Sequence, residues 1–231
     1  MKVALMLTGL ARKVKEGYIG YWSHIIKNND VDLYLHAWES KPDGITNHED
    51  SDLVELVYPN AKYLKIEKPF KFTEYRSGIV NTANDNSRPL EDFDVAGNFR
   101  SFPMFYGWET TYQHIKNSNV EYDCVIRSRY DLIGNLIDLS KLDLNKINVA
   151  SNHWSGWDKN DDNLCITNKE NADKIFSNIF TDIVSYHKQT GQIGCAEDNF
   201  TDFLKRNNLH HLSHKDPNIV FNLLRDNALW Y

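Results

Sequence analysis

The chain has 231 residues, of which 41% are hydrophobic and 25% charged, and its formal net charge at pH 7 is −6. This composition is typical of a folded globular domain and excludes an intrinsically disordered chain. Acidic and basic residues are spread along the sequence, which argues against a nucleic-acid partner bound by a basic surface. No apolar run approaches the roughly 18 residues of a membrane span, so we expect no transmembrane segment.

The first apolar segment, residues 3–7, follows Lys2 and superficially resembles a signal peptide. A signal peptide needs an apolar region of roughly 7 to 15 residues, so a buried strand at residues 2–8 explains this segment better. A helix is predicted over 15–28, where Tyr18, Trp22 and Ile25 recur at helical spacing.

The next elements alternate between strand and helix. We predict a strand at 31–38, a helix at 51–59 that Pro59 closes, and a strand at 61–68. Strands separated by helices predict a parallel sheet with right-handed crossovers, and the length favours one α/β domain.

A long polar segment, residues 69–98, interrupts this alternation and is predicted to be a loop. Loops of this length are usually functional lids or disordered, and the sequence leaves both open. A helix at 103–116 and a strand from 121 follow. Further strands are predicted at 146–154 and 164–168, and helices at 169–188 and 196–207, while the tail from 210 is left unassigned.

The strand that begins at residue 121 ends in Arg127, Arg129 and Asp131, on alternate positions. Side chains at i, i+2 and i+4 of a strand face the same side, so these three groups converge if the chain stays extended. Two guanidiniums and a carboxylate suit an anionic ligand. The alternative is a structural Arg–Asp–Arg ion cluster.

Two other predicted strands end in polar or aromatic residues. The first is followed by Thr8, Gly9 and Arg12, and the second ends in His36 and Trp38. Carboxyl ends of parallel strands are where open α/β sheets bind ligands, and a glycine there lets the backbone approach one. The dinucleotide and Walker glycine patterns are absent. For each arginine alone, a surface salt bridge is the competing interpretation.

Several other groups of residues have simpler explanations. The three cysteines at 124, 165 and 195 lack metal or disulfide spacing and are predicted to be reduced core residues. The histidines at 210, 211 and 214 have no Cys or acid nearby that would complete a tetrahedral metal site, so a structural role is predicted for them. The acidic residues Asp158, Asp161 and Asp162 are predicted to lie in a solvated turn. The alternative is that they line the binding site of a second substrate, the acceptor of a transferred group, or bind a metal ion. Trp154 and Trp157 lie in a predicted loop beside a glycine, and their rings are candidates for stacking against such an acceptor.

The segments ALMLTGLAR, DLYLHAW and YDCVIRSRYDL, in that order, resemble a family of small bacterial, phage and large-virus glycosyltransferases. DDNLCITNKENADKIF and AEDNFTDFLKRNNL resemble that family's second half. The resemblance implies a GT-A-like, Rossmann-like α/β fold with a mostly parallel central sheet flanked by helices. It also implies a nucleotide-sugar-binding half at 1–135 and an acceptor-binding half at 136–231 of a single domain.

The same resemblance implies the reaction: metal-assisted transfer of a sugar from a nucleoside diphosphate sugar to a glycan or glycolipid hydroxyl. Asp131 would take the place of a DxD carboxylate and hold Mn²⁺ or Mg²⁺. Arg129 stands where DxD has its first acid, a departure that leaves one carboxylate for a cation held mainly by phosphates and water. The residues implied in nucleotide-sugar binding are Thr8, Gly9, Arg12, His36, Trp38, Arg127, Arg129 and Asp131.

An inverting transferase also needs a carboxylate base near the acceptor hydroxyl. Asp198 is the first choice and Glu197 the second, and the competing explanation is that both acids complement a helix dipole. A non-catalytic nucleotide-sugar or glycan-binding module of the same fold is the alternative function, and a phosphate-ester hydrolase ranks last. We expect the protein in the cytoplasm, that of the host cell if it is viral or phage-encoded.

Overall fold

The structure of the protein is a computed structural model that describes residues 1–39, 52–68, 75, 80–81, 101–150, 160–217 and 219–223. The strands within this part of the chain are β1 (Lys2–Leu10), β2 (Asp30–Trp38), β3 (Tyr63–Glu67), β4 (Val80–Asn81), β5 (Cys124–Ser128), β6 (Leu132–Leu136), β7 (Ile147–Ala150), β8 (Cys165–Thr167), β9 (Gln192–Ile193), β10 (Ser213–Asp216) and β11 (Val220–Leu223).

Seven of these strands form the central sheet, in the order β10-β7-β8-β5-β1-β2-β3. β1 pairs in parallel with both β2 and β5, β2 with β3, and β7 with β10. β8 is antiparallel to its neighbours β5 and β7. Two small pairs lie outside the sheet, β6 with β11 and β4 with β9. The predicted fold class, α/β with a mostly parallel central sheet, is therefore confirmed.

Helices cover both faces of this sheet: α1 (Val14–His24), α2 (Asp52–Val57), α3 (Ser101–Lys116), α4 (Lys169–Phe176), α5 (Ile179–Thr190) and α6 (Ala196–Arg206). Alternate residues of β1 enter two separate cores, Met6 on the α3 face and Leu5 and Leu7 on the α1 face. Burial on both faces explains why β1 reads as a continuous apolar run. No helix in the described part of the chain is long and apolar enough to span a membrane.

The single helix predicted at 169–188 is wrong, because two helices, α4 and α5, occupy this range. Asn168 caps α4 as predicted, its side chain accepting a hydrogen bond from the Asn171 backbone N–H. The first turn of α5 is held from another helix, where Glu109 accepts hydrogen bonds from the backbone N–H and hydroxyl of Thr181 at 3.0 and 2.8 Å. A tertiary contact thus starts the second helix.

Other predicted boundaries differ by a few residues. The helix expected over 15–28 ends at His24, and a short 3₁₀ turn, Ile26–Asn28, follows it. The strand expected at 146–154 is observed as Ile147–Ala150, and residues 151–159 lie outside the described chain. Most of the predicted 69–98 loop also lies outside it. Val80–Asn81 within that range forms a strand, so the loop prediction is wrong at those two residues.

The helix α3 runs from the carboxyl ends of the strands towards their amino ends. Near its end, His114 stacks on Tyr63, the first residue of β3, with ring centroids 3.6 Å apart. In its middle, Gly107 lies against Thr8 and His36, and a Cβ at Gly107 would be 3.2 Å from His36 Nδ1. Glycine at 107 therefore lets α3 approach the ends of β1 and β2 closely.

On the other face, α1 lies directly on the chain that follows β5. A Cβ atom at Gly17 would be only 1.9 Å from the backbone oxygen of Tyr130. Because that neighbour is backbone, it cannot rotate away, and the close approach of α1 depends on glycine at this position.

Replacing Gly17 with alanine should therefore destabilise the protein, although alanine favours an isolated helix by about 1 kcal/mol. Overpacking typically costs about 1 to 3 kcal/mol, and we expect the free energy of unfolding to fall by at least that much. Urea unfolding measures it, with Glu16→Ala at an exposed position of the same helix as the control. An unchanged or increased stability of Gly17→Ala would contradict this packing.

Candidate functional site

The pairing of β1 with β5 brings two of the predicted clusters together. Met6 is opposite Arg127 in the parallel register, so the chain segments that leave the two strands start side by side. The Thr8 hydroxyl lies 3.5 Å from Arg127 Nη2, and Arg12 Nη2 lies 3.1 Å from Asp131 Oδ2. The structure thus places Thr8, Arg12, Arg127 and Asp131 in one site, together with Arg129.

Asp131 is the centre of an ion cluster. Its side chain is 1% exposed, and its two oxygens accept hydrogen bonds from Nε and Nη2 of Arg129, both at 2.8 Å. Arg12 approaches the same carboxylate from the other side. Burial alone would raise the pKa of Asp131, but the charges of Arg129 and Arg12 hold it below its ordinary value. The carboxylate is therefore ionised, and both of its oxygens are bonded to arginine.

Arg127 is held in a different way, by an aromatic ring and a carbonyl. Its guanidinium lies 3.8 Å from the centre of the Trp108 ring and donates a hydrogen bond to the backbone carbonyl of Asp162. The residue is 1% exposed, and burial lowers its pKa to about 9, which leaves it protonated at pH 7. Among the described residues it forms no ion pair with a carboxylate, although the charge of Asp162 is close enough to oppose the lowering of its pKa.

The segment Asn160–Asn163 completes the site, although the sequence favoured a solvated turn for its acids and offered a functional role only as the alternative. Asn163 Oδ1 accepts a hydrogen bond from Arg129 Nη1 at 2.9 Å, beside the bond from Arg127 to Asp162. Asp161 and Asp162 are 3% and 8% exposed. The expected solvated turn is therefore wrong for these two acids, and Asp158 lies outside the described residues. The position of this segment follows from the pairing of β8 with β5. The two strands are antiparallel and Cys165 is opposite Arg127, so the residues that precede β8 lie beside the arginines.

Asp162 is also coupled to the predicted base region on α6. Burial raises the pKa of Asp162 to about 7, and the charges of Glu197 and Asp161 add to this effect while the two arginines oppose it. Glu197 is thus close enough to act electrostatically on the arginine site.

Asp198, the first choice for the base, is engaged at the start of its own helix. Its Oδ2 accepts a hydrogen bond from the Cys195 thiol at 2.9 Å. Glu197 and Asp198 both lie in the first turn of α6, which is the position that the helix-dipole alternative requires. The assignment of Asp198 or Glu197 as a base stays a prediction.

The end of β2 forms a separate aromatic and ionic group. His36 is fully buried, with Nε2 3.0 Å from Glu67 Oε2, and its ring meets Trp38 edge-on at 4.8 Å. Burial lowers the pKa of His36, although Glu67 opposes that shift. Tyr106 and Lys65 also contact Glu67. In this arrangement His36 and Trp38 support the edge of the site, and their contact with a nucleotide sugar stays a prediction.

Gly9 has a backbone conformation that favours glycine. Its φ is +120°, a region that other residues rarely adopt, and a Cβ there would meet no atom within 4 Å. The backbone is thus open at the point where β1 leads towards Arg12.

The residues at Asp131 do not fit a divalent cation site as they stand. Both carboxylate oxygens are already bonded to arginines, so a cation at Oδ2 would have to displace Arg12 or Arg129 and a cation at Oδ1 would lie against the Arg129 guanidinium. In the part of the chain that the structure describes, no group of three or more His, Cys, Asp or Glu side chains is placed to hold a metal ion. The prediction of Mn²⁺ or Mg²⁺ therefore gains no support from the described side chains.

Tyr21, which the sequence assigned only to the helix, fixes the arginine segment from the α1 side. Its hydroxyl donates to the backbone oxygen of Arg129 and pairs with the Ser128 hydroxyl, each at 2.6 Å. It is 2% exposed. Sequence patterns cannot separate such a tyrosine from one buried for its ring alone, because both occupy the same helical face.

No protein-family model matches the chain, and no curated protein matches it. Solved structures do: a crystal structure of the glycosyltransferase GlyE in Streptococcus pneumoniae TIGR4 has a TM-score of 0.46 and 12% identity. The apo form of the same protein gives 0.45 and 14%. Each match covers 93% of this chain and 45% of the other, so this chain spans less than half the length of those structures. At this level of similarity they carry no argument about its activity.

Replacing Tyr21 with phenylalanine should remove the hydroxyl that holds Arg129 and leave buried acceptors without their partner. We expect a loss of about 1 to 3 kcal/mol in the free energy of unfolding, measured with urea. Tyr18→Phe on the same helix, where the ring packs edge-on against Tyr58, is the control. Equal stability of the two variants would argue against the contact.

The raised pKa of Asp162 predicts a pH dependence of stability. The folded protein binds this proton up to about pH 7, whereas the unfolded chain releases it near 3.8. Stability should therefore fall as the pH rises through this window, by up to about 1.4 kcal/mol per pH unit. Asp162→Asn should lose that component, so urea unfolding at pH 5 and pH 8 should show a smaller change for the variant. Parallel pH profiles of both proteins would refute the assignment.

Proposed function

We propose that the protein is a glycosyltransferase that moves a sugar from a nucleoside diphosphate sugar to a glycan or glycolipid hydroxyl in the cytoplasm. The observation that carries this proposal is the convergence of Arg12, Arg127 and Arg129 at the carboxyl ends of β1 and β5. Three guanidiniums, two of them bonded to Asp131, lie at the edge where such sheets bind ligands.

Glycosyl transfer breaks the bond between the sugar and the diphosphate, and negative charge grows on the leaving group. Preorganised positive groups that stabilise such charge are usually the largest contribution to catalysis. Guanidiniums are suited to this task because they stay charged and bind phosphate oxygens with two parallel N–H groups. Burial of Arg127 and partial burial of Arg12 and Arg129 strengthen their interaction with the leaving diphosphate, because less water screens it.

The acceptor hydroxyl must lose its proton as it attacks the sugar. Glu197 supports this step best, since it is close enough to Asp162 to raise the pKa of that carboxyl. Asp198 is the second candidate, because it would first have to release the Cys195 thiol. The nucleotide-binding half would thus supply the arginines, and the acceptor-binding half would supply the base from α6.

A non-catalytic module that binds a nucleotide sugar or glycan is the second candidate function. The contact of Asp198 with the start of α6 favours it, because that carboxylate has a structural role without any reaction. The two functions differ in one respect. A binding module keeps its affinity and has no transfer to lose when both Glu197 and Asp198 are replaced by their amides.

Binding of UDP, GDP, CDP and dTDP, followed by calorimetry and thermal shift with and without Mn²⁺, tests the proposal. We expect one nucleotide to bind and to raise the melting temperature. Arg129→Ala should weaken that binding by tenfold or more, since a lost charged hydrogen bond is worth about 1.5 to 3 kcal/mol. Failure of all four nucleotides to bind the folded wild-type protein would refute it.

A further inference from the structure

The side chains of the ion cluster differ in their exposure to solvent. Asp131 is 1% exposed, whereas the side chains of Arg12 and Arg129 are 30% and 22% exposed. The carboxylate therefore lies beneath the two guanidiniums. A group that approaches from solvent meets the arginines before it reaches Asp131.

Arg129 also keeps hydrogen-bonding capacity for a ligand. A guanidinium has five N–H donors. Three of them are used, by the two bonds to Asp131 and the bond to Asn163. Two donors remain among the described contacts, one on Nη1 and one on Nη2, and the fixed plane of the group determines where they point.

The negative charge of Asp131 reduces the repulsion between Arg12 and Arg129. Two cations that share one small region repel each other, and an anion between them removes that repulsion while it fixes their orientation. The bidentate geometry of Arg129 on Asp131 is the arrangement in which an arginine is held most firmly. Removal of this buried anion would free both guanidiniums to move apart.

We propose that Asp131 is a positioning residue, the internal counter-ion that holds Arg12 and Arg129 side by side, and that these arginines receive a diphosphate without a divalent cation on Asp131. This inference deepens the proposed function by assigning its anion site. It differs from what the family resemblance implies for Asp131, because both oxygens of that carboxylate are already bonded to arginine.

Two probes separate this role from that of a metal ligand: Mn²⁺ alone and inorganic pyrophosphate in the presence of EDTA, both measured by calorimetry. The wild-type protein should bind pyrophosphate in EDTA. Arg12→Gln and Arg129→Gln should each weaken that binding about tenfold or more, as expected for loss of one charged contact. Mn²⁺ alone should bind the wild type and Asp131→Asn equally weakly.

Asp131→Asn provides a readout that a purely structural role would not move. Added positive charge alone would tighten pyrophosphate and phosphate together. Loss of the paired geometry should instead reduce the preference for pyrophosphate over phosphate by about tenfold, because the two guanidiniums no longer sit at a fixed spacing. If this variant does not fold, the pyrophosphate affinities of Arg12→Gln and Arg129→Gln in EDTA test the proposal instead. Unchanged affinity in both variants would overturn it.

A matched control lies elsewhere on the molecule. Arg206 forms an ion pair with Asp182 and stacks on Tyr186, and the two side chains of that pair are 25% and 26% exposed. Arg206→Gln removes one arginine of comparable exposure, so it should leave pyrophosphate affinity unchanged. An equal loss in Arg206→Gln would mean that general charge and not the cluster binds the anion, and would overturn the inference.

Two further outcomes overturn the inference and are distinguishable from failure of the proposed function. Tight Mn²⁺ binding that Asp131→Asn abolishes, with pyrophosphate bound only when Mn²⁺ is present, would make Asp131 a metal ligand and leave the transferase proposal intact. Absence of pyrophosphate binding to the wild type would reduce the cluster to a structural ion group. Pyrophosphate binding in EDTA with no nucleoside diphosphate bound would support the inference and refute the transferase proposal.

Discussion

The parallel pairing of β1 with β5 is the constraint on which the site depends. Because both strands run the same way with Met6 opposite Arg127, the chain leaves them at one edge of the sheet. The segment after β1 brings Arg12 to Asp131, and the segment after β5 carries Arg129 and Asp131 themselves. A register shift of one residue would turn Arg127 to the opposite face, since side chains alternate along a strand.

Three arginines in one partly buried site would repel one another and lose hydration. Contacts that differ from one arginine to the next offset this cost. Arg129 has a bidentate carboxylate, and Arg12 shares that carboxylate from a more exposed position. Arg127 has the face of Trp108 and a backbone carbonyl. These contacts hold three guanidiniums in fixed positions at the edge of the sheet, and those guanidiniums link the fold to the proposed chemistry.

Glycine at two positions lets helices from both faces reach this edge. Gly17 allows α1 to touch the backbone of Tyr130, and Tyr21 one turn later bonds to the oxygen of Arg129. Gly107 allows α3 to approach Thr8 and His36, which places the next residue, Trp108, over Arg127. The two helices therefore hold the arginine segment from opposite sides, and rigid support of this kind is what a preorganised electrostatic site requires.

The sequence by itself determined the α/β class and the position of polar residues at strand ends, because hydrophobic periodicity along each element is a local property of the chain. It also put Arg127, Arg129 and Asp131 in one short segment, although β5 ends at Ser128 and the strand alternation predicted for these three residues does not continue past it. The tertiary structure alone decided that Asp131 is buried between two arginines, that Asp161 and Asp162 are buried, and that α4 and α5 are separate. Those outcomes depend on contacts between residues far apart in the chain, such as Arg127 with Trp108 and Asp162, and no local pattern encodes them.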